Sequence, residues 1–393
     1  KEDGTKEVTD VLDRTIILPE DVEKVVVTFN LEEYLAVTGE EGIDKLVGFS
    51  HDYWKGRRED AWKTYIAKFP QLETLPDVGY NDTISVENII SLDPDVVLMS
   101  APVNYDYIEP ELDKFEEAGI EVAFVNYHKQ TIEMHRNSTE LIGEIMGQEE
   151  RAKEISDFYE EQVNLIEERL SGLDENAERP KVYMEYSIAP NTYGNSWADK
   201  MWGALIPQCG GINIAAGLSD GNSVEVAPEQ VIAANPDLVV FTGCLVDDNN
   251  ENIVVGYGAD REKALERLQA YKEREGWSGL NAVKNDRMAV LYHDLSRHIF
   301  DFAGTQMLAK MCQPELFADV DPEENLRTFF EKYMPLVQKN GICIVDNLDF
   351  HGMIFDIDHI KNRNTKQLVK KIKRFKDWIF NHEEYQVTYY GVG

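Results

Sequence analysis

Cysteine is scarce in this 393-residue chain. The four present, Cys209, Cys244, Cys312 and Cys343, lie far apart and form no CxxC pair. That excludes a small disulfide scaffold and a zinc ribbon, and leaves the redox compartment open. Long apolar runs are lacking too; no stretch approaches the roughly 18 residues of a membrane span. Basic residues are few: Lys and Arg number 39 against 73 Asp and Glu, for a formal net charge of −34. A surface that negative repels phosphate backbones and anionic lipid, so no nucleic-acid partner is expected. Catalytic signatures are missing as well. There is no GxSxG, HExxH, GxxxxGK[ST] or GxGxxG, since Gly256-Tyr-Gly258 lacks the third glycine. Their absence moves the weight from an enzyme toward a binding protein.

What is there is globular. Hydrophobic residues at 43% and charged ones at 28% are ordinary proportions, and the length suits two or three domains of roughly 100–200 residues each. The acidity is the pattern of a very soluble protein, such as one working in salt. The chain opens Lys-Glu-Asp-Gly-Thr-Lys-Glu, a polar lead of the kind left when a signal peptide and linker are removed, or simply an arbitrary start.

Short apolar runs alternate with helical patterns from about residue 24. Strands are expected at 25–30 (VVVTFN), 45–50 (KLVGFS), 96–100 (VVLMS) and 122–126 (VAFVN), with helical segments such as 110–118 between them. This alternation argues a parallel sheet covered on both faces. Over 149–173 the pattern changes: Ala152, Ile155, Tyr159, Val163, Ile166 and Leu170 recur at steps of three and four. That spacing predicts one amphipathic helix of about 24 residues, ~36 Å long. A loop follows at 171–180, and the alternation resumes with strands at 181–186, 237–242 and 288–292.

The second half repeats the first. Residues 85–102 (SVENIISLDPDVVLMSAP) align without gaps to 227–244 (APEQVIAANPDLVVFTGC), so that Glu87 matches Glu229, Pro94 matches Pro236 and Asp95 matches Asp237. Tyr127-His128 and Tyr292-His293 each close a strand further on. Duplication of one βα unit explains this better than chance. The expected fold is therefore α/β, with two similar lobes of mainly parallel sheet joined by one long helix. The domains are residues 1–148, the connecting helix 149–173, residues 174–335 and a tail, 336–393.

Open α/β sheets bind ligands at the carboxyl ends of their strands, so two facing lobes make a cleft lined by the residues after each strand. Those positions hold His51, Tyr53, Trp54, Tyr80, Tyr105, Tyr107, Tyr127 and His128 in the first lobe. In the second they hold Tyr193, Trp197, His293, Arg297 and His298. Aromatics suit a flat or bulky ligand, and imidazoles a metal or an anionic group. Each alone is better read as a core or rim aromatic; their accumulation at several strand ends carries the expectation.

Five segments carry a likeness: the opening strand 14–27, SVENIISLDPDVVLM, the Tyr127-His128 strand with the helices after it, CGGINIAA at 209–216 and SRHIFDFAGTQMLAKMCQPELFADVDP at 296–322. Together they resemble the substrate-binding proteins of ATP-driven importers, in the class that carries ferric siderophores, haem and cobalamin. The resemblance covers about residues 8–335. It implies two lobes of the class III periplasmic-binding-protein type and modest closure on the ligand. It also implies export, to the periplasm or as a lipoprotein tethered at the outer face of the cytoplasmic membrane. The expected function is capture of a metal chelate (ferric siderophore, haem or corrinoid) and delivery to an ABC permease with its ATPase, by a monomer with no catalytic activity and no cofactor of its own. In this family one glutamate on each lobe docks on permease arginines, and the matching positions are Glu87 and Glu229. Both also fit as first-turn acids that stabilise a helix dipole. Tyr53, Trp54, Tyr80, Tyr105, His128, Tyr193, Trp197, His293 and Arg297 are the expected ligand-binding set. For an anionic ferric chelate Arg297, Tyr193 and Tyr105 would face the complex; alternatively His128 and His293, from opposite lobes, would ligate a haem or contact a metal directly. An enzyme related to methyltransferases or chelatases is the alternative, and a surface scaffold a third reading.

The tail differs. Residues 339–393 hold slightly more basic than acidic residues, so the acidity belongs to the rest of the chain. From Phe329, FFEKYMPLVQKNGICIVDNLDFHGMIFD resembles the C-terminal end of a metal-dependent catechol-type O-methyltransferase. There the Asp-Asn pair sits at the metal, so Asp346 and Asn347 are the matching positions, and their oxygens suit Mg²⁺ or Ca²⁺. The cofactor half of that family has no counterpart here, so no methyl transfer is expected. A βαβ-like tail is expected, with strands at 341–345 and 386–390 and a helix at 365–380.

Overall fold

A strand whose side chains are apolar on both faces needs helices on both sides, and the runs at 96–100 and 238–243 are of this kind. The computed structural model describes residues 4–336 apart from 175–176, 222 and 244–250, together with 366 and 369–374. Ten strands are present among them. β1 (Thr5–Thr9) and β2 (Thr15–Pro19) form an antiparallel hairpin. β3 (Val25–Val27), β4 (Leu46–Phe49), β5 (Val96–Ser100) and β6 (Glu121–Val125) form a parallel sheet in the order β4-β3-β5-β6. β7 (Lys181–Tyr186), β8 (Ile212–Asn213), β9 (Leu238–Gly243) and β10 (Met288–Tyr292) form a second one, ordered β8-β7-β9-β10. Every residue of β5 and β9 is buried.

The two sheets have one topology. In each, the first strand pairs with the second on one side and the third on the other, and the fourth pairs outside the third. The repeated Pro-Asp turn has the same task in both. The Asp95 amide donates to the Lys24 carbonyl (2.9 Å), and its carboxylate accepts the Glu23 and Lys24 amides at 2.8 Å. The Asp237 amide donates to the Lys181 carbonyl (2.8 Å), and its carboxylate accepts the Lys181 amide at 3.0 Å. Each aspartate thus fastens the entry of the neighbouring strand.

The helix Glu149–Leu170 joins the lobes and buries Ala152, Ile155, Tyr159 and Ile166. Gly147, at φ 66°, ends the preceding helix Ile132–Met146 in the left-handed conformation that turns the chain into it. At its start Arg151 donates to the Ala36 carbonyl of the first lobe (2.7 Å). Further along, Tyr159 donates to Asp301 of the second lobe (2.9 Å), and Arg169 to the Leu316 carbonyl (2.8 Å). The helix is therefore bonded to both lobes along its length.

Some expectations shift. The strand read at 25–30 ends at Val27, because Asn30 is already the N-terminal boundary of the helix Leu31–Thr38. The opening strand read at 14–27 is two, β2 and β3, split after Pro19. The helix read at 110–118 begins as a 3₁₀ turn, Glu109–Glu111, holding Pro110, and is helical over Leu112–Glu117. Residues 1–336 form one compact unit and 337–393 another. In the latter, 366 and 369–374 are helical. The expected strands 341–345 and 386–390, with Asp346 and Asn347, lie outside the described residues. Among the described residues no helix is long and apolar enough to cross a membrane.

Candidate functional site

The ends of β3, β4 and β6 deliver an aromatic cluster to the face where the first lobe meets the second. Phe29, two residues past β3 and almost fully buried, is its centre. Tyr53 comes from the helix His51–Arg57 that follows β4, and its ring centroid lies 5.7 Å from that of Phe29. Tyr80 stacks on Tyr53 at 3.9 Å and lies 6.0 Å from Phe29. Tyr80 is aimed by Gly79, at φ 80°, where an added Cβ would lie 2.0 Å from the Thr83 carbonyl oxygen. Only glycine fits that turn. His128 follows β6 in a turn held by Asn126, whose side-chain oxygen accepts the His128 amide at 3.0 Å, and its ring lies 5.7 Å from Phe29.

The second lobe closes on the same phenylalanine. His298 stacks on Phe29 at 5.7 Å with planes 13° apart, and the Arg297 guanidinium carbon sits 5.4 Å from the ring centroid. Arg297 donates to Asp294 from Nε (3.0 Å) and Nη2 (2.5 Å). Beneath lies a buried polar network that bridges the lobes. Arg58 pairs with Glu32 (2.7 Å) and across the lobes with Asp294 (2.8 Å). Tyr257 of the second lobe donates to Glu32 (2.7 Å), and His298 Nδ1 meets Glu33 at 2.7 Å. Charges this deeply buried persist only when paired, and here cations and carboxylates alternate.

The electrostatics follow from burial. Burial pushes Asp294 up, but Arg297 and Arg58 beside it hold its carboxyl well below the usual carboxylate range. Burial likewise opposes the charge on Glu33, which the charge and hydrogen bond of His298 nonetheless keep below its ordinary value. His128 is held well below the usual imidazole range by burial, then by Arg297 and His298. His293, after β10, is pushed down to about 3 by burial and Arg297. Both are neutral imidazoles at physiological pH, the form that ligates metals or accepts a hydrogen bond. His128 Nδ1 has no hydrogen-bond partner. Deeper still, burial pushes the Asp301 carboxyl well up and His135 down to about 3. Their 3.4 Å approach is thus a contact of neutral groups rather than an ion pair.

Of the nine expected ligand residues, the structure gathers Tyr53, Tyr80, His128 and Arg297 around Phe29. His293 stands beside Trp197 at 5.5 Å and Tyr186 at 5.1 Å, with Nδ1 3.1 Å from the Thr242 hydroxyl. Three lie elsewhere. Trp54 is fully buried, edge-on to Phe49 (5.6 Å) and Tyr65 (5.2 Å) with Arg58 4.4 Å over its ring. It is core beneath the wall, because it lies on the inner side of the short helix that turns Tyr53 outward. Tyr105 packs edge-on against Phe124 at 5.4 Å, on the far face of the first sheet. Tyr193 accepts the Trp277 indole N–H (2.7 Å) and lies under Arg274 (4.2 Å), in the second lobe's own cluster. Sequence reasoning missed Phe29, Glu32, Glu33, Arg58, Asp294 and Tyr257. Phe29 falls inside the apolar run 25–30 that reads as a strand, and the others look like ordinary helical or loop polar residues until the lobes meet.

Glu87 and Glu229 occupy equal places, in the first turns of the helices Val86–Ser91 and Pro228–Ala234, and both are exposed. Lys114 approaches Glu87 to 3.7 Å.

Comparison with known proteins places this geometry in context. The family model described as "Periplasmic binding protein" matches residues 42–295. The crystal structure of the TroA-like periplasmic binding protein FepB from Veillonella parvula superposes with a TM-score of 0.79 at 33% identity, covering 84% of this chain and 96% of that one. An ABC transporter substrate-binding lipoprotein of Bacillus subtilis, YvrC, is 27% identical over 261 residues, 65% of this chain and 72% of its own. A cobalamin-binding protein of Halobacterium salinarum is 29% identical over 188 residues, 47% of either chain. The methyltransferase likeness of the tail has no support among these matches.

Proposed function

Because this chain belongs to the periplasmic binding protein family, and so is an extracytoplasmic solute-binding protein for an ABC importer rather than an enzyme, we propose that its cargo is a metal chelate. A ferric siderophore, haem or a corrinoid is held between the lobes and delivered by a monomer in the periplasm or tethered at the outer membrane face. The observation that carries this reading is Phe29, contacted by Tyr53, Tyr80 and His128 from its own lobe and by His298 and Arg297 from the other. A stack of rings edged by the neutral imidazole of His128 and the Arg297 cation suits a broad chelate with a metal and an anionic rim. The cobalamin-binding name of the Halobacterium relative supports the same class. Tyr53, Tyr80, His128, Trp197, His293 and Arg297 are its contacts, with Trp54 packed beneath the wall. Glu87 and Glu229 are the permease contacts, one per lobe.

Titration with haem, cyanocobalamin and a ferric hydroxamate, read by Trp197 fluorescence, tests this. Quenching by one of them at sub-micromolar concentration, together with the same molecule carried through purification and seen by native mass spectrometry, is expected. No response from any of the three overturns the chelate reading.

A further inference from the structure

Where the chain leaves β4, three metal-ligating side chains converge away from the Phe29 cluster. They are His51, Asp52 and Asp77, whose ligand atoms all lie within 4.8 Å of one another. His51 Nδ1 stands 2.9 Å from an Asp52 oxygen and 3.7 Å from an Asp77 oxygen. It makes no hydrogen bond to either and is shielded from solvent. Its ring is held: the side chain is 12% exposed and lies 6.1 Å from the Trp62 ring. Asp77 is held too. Its backbone bridges to Phe49, one oxygen accepts the Asp52 amide (3.0 Å) and the other the Gly79 amide (3.1 Å). Asp52 is exposed, with Lys55 3.9 Å away.

We propose that His51, Asp52 and Asp77 form a site for a divalent transition-metal ion such as Zn²⁺. The imidazole nitrogen is a borderline donor, and with two carboxylate oxygens beside it the set suits Zn²⁺ or Ni²⁺ better than Ca²⁺ or Mg²⁺ with their all-oxygen shells. Three protein ligands leave a position for water. The two segments so joined carry Tyr53 and Tyr80, two and three residues further on, which stack at 3.9 Å. A bound ion therefore staples the wall of the cleft. None of this depends on what the cleft carries.

The test is isothermal titration of the EDTA-treated full chain with ZnCl₂ at pH 7.5. One micromolar-range ion is expected that His51→Ala and Asp77→Asn each weaken at least tenfold, while Asp106→Asn, at an exposed position of another helix, leaves it unchanged. The wild-type-minus-variant difference reads this site whatever else in the chain binds zinc. Circular dichroism confirms that the variants fold, and Asp52→Asn, at an exposed position, gives a third variant that keeps the test decisive. Absence of a zinc heat, or a heat that survives all three substitutions, overturns the proposal. Loss of chelate binding with zinc binding intact would count against the transport cargo alone.

Discussion

Arg297 decides how charge is distributed in the cleft. Its guanidinium shares Asp294 with Arg58, so removing it leaves Asp294 paired with Arg58 at 2.8 Å while the face over Phe29 loses its cation. Arg297→Ala is therefore expected to fold normally and to weaken chelate binding at least tenfold, about 1.4 kcal/mol, in the fluorescence titration. Unchanged affinity would mean that the ligand sits elsewhere. The buried histidines give a second prediction. His135 and His293 both fall to about 3 in the folded chain, the first cause being burial. In the unfolded chain they titrate near 6.5. The folded state thus binds fewer protons between those values. Stability from this source is full above about pH 6.5 and is lost as pH falls toward 3, by about 1.4 kcal/mol per pH unit for each histidine. Thermal melts at stepped pH read the slope, and His293→Asn should flatten it; an equal slope in the variant would reject the assignment.

At the scale of the element, short turns set the site more than the strands do. The glycine turn before Tyr80 is the clearest case, since a Cβ on Gly79 meets backbone at Thr83 and has no flexible side chain to push aside. Gly79→Ala should cost about 1–3 kcal/mol in denaturant unfolding, and weaken ligand binding by moving Tyr80 off Tyr53. Unaltered stability and affinity together would show that the turn relaxes freely. The helix Glu149–Leu170 has the opposite character. Its side chains are hydrogen-bonded to the Ala36 carbonyl of one lobe and to Asp301 and the Leu316 carbonyl of the other, so it is fastened to both lobes along its length.

At the scale of the whole molecule, duplication explains why two exposed carboxylates lie at matching places. Glu87 and Glu229 head equivalent helices before equivalent strands, the placement that the proposed docking on a two-sided permease requires. The double substitution Glu87→Ala, Glu229→Ala should leave ligand affinity intact and abolish importer-dependent uptake in cells. Normal uptake would remove the docking role and leave both as helix-dipole acids worth ~0.3–1 kcal/mol.

The sequence by itself determined the two sheets, their parallel sense, the long joining helix and the repeat. These rest on local periodicity and on the backbone's need to hydrogen-bond, both of which act over a few residues. Strands at 96–100, 181–186 and 288–292 fall where the apolar runs put them. The strand-end rule also brought Tyr53, Tyr80, His128 and Arg297 into view. It could not separate Trp54, Tyr105 and Tyr193 from these, because which side of a short helix or loop faces the cleft depends on what packs behind it. Only the tertiary structure made Phe29 the meeting point of the lobes, and paired Arg58 and His298 with carboxylates far away in the chain. Such pairs leave no periodic trace: a buried charge chooses its partner by proximity in space, where desolvation makes the pairing obligatory.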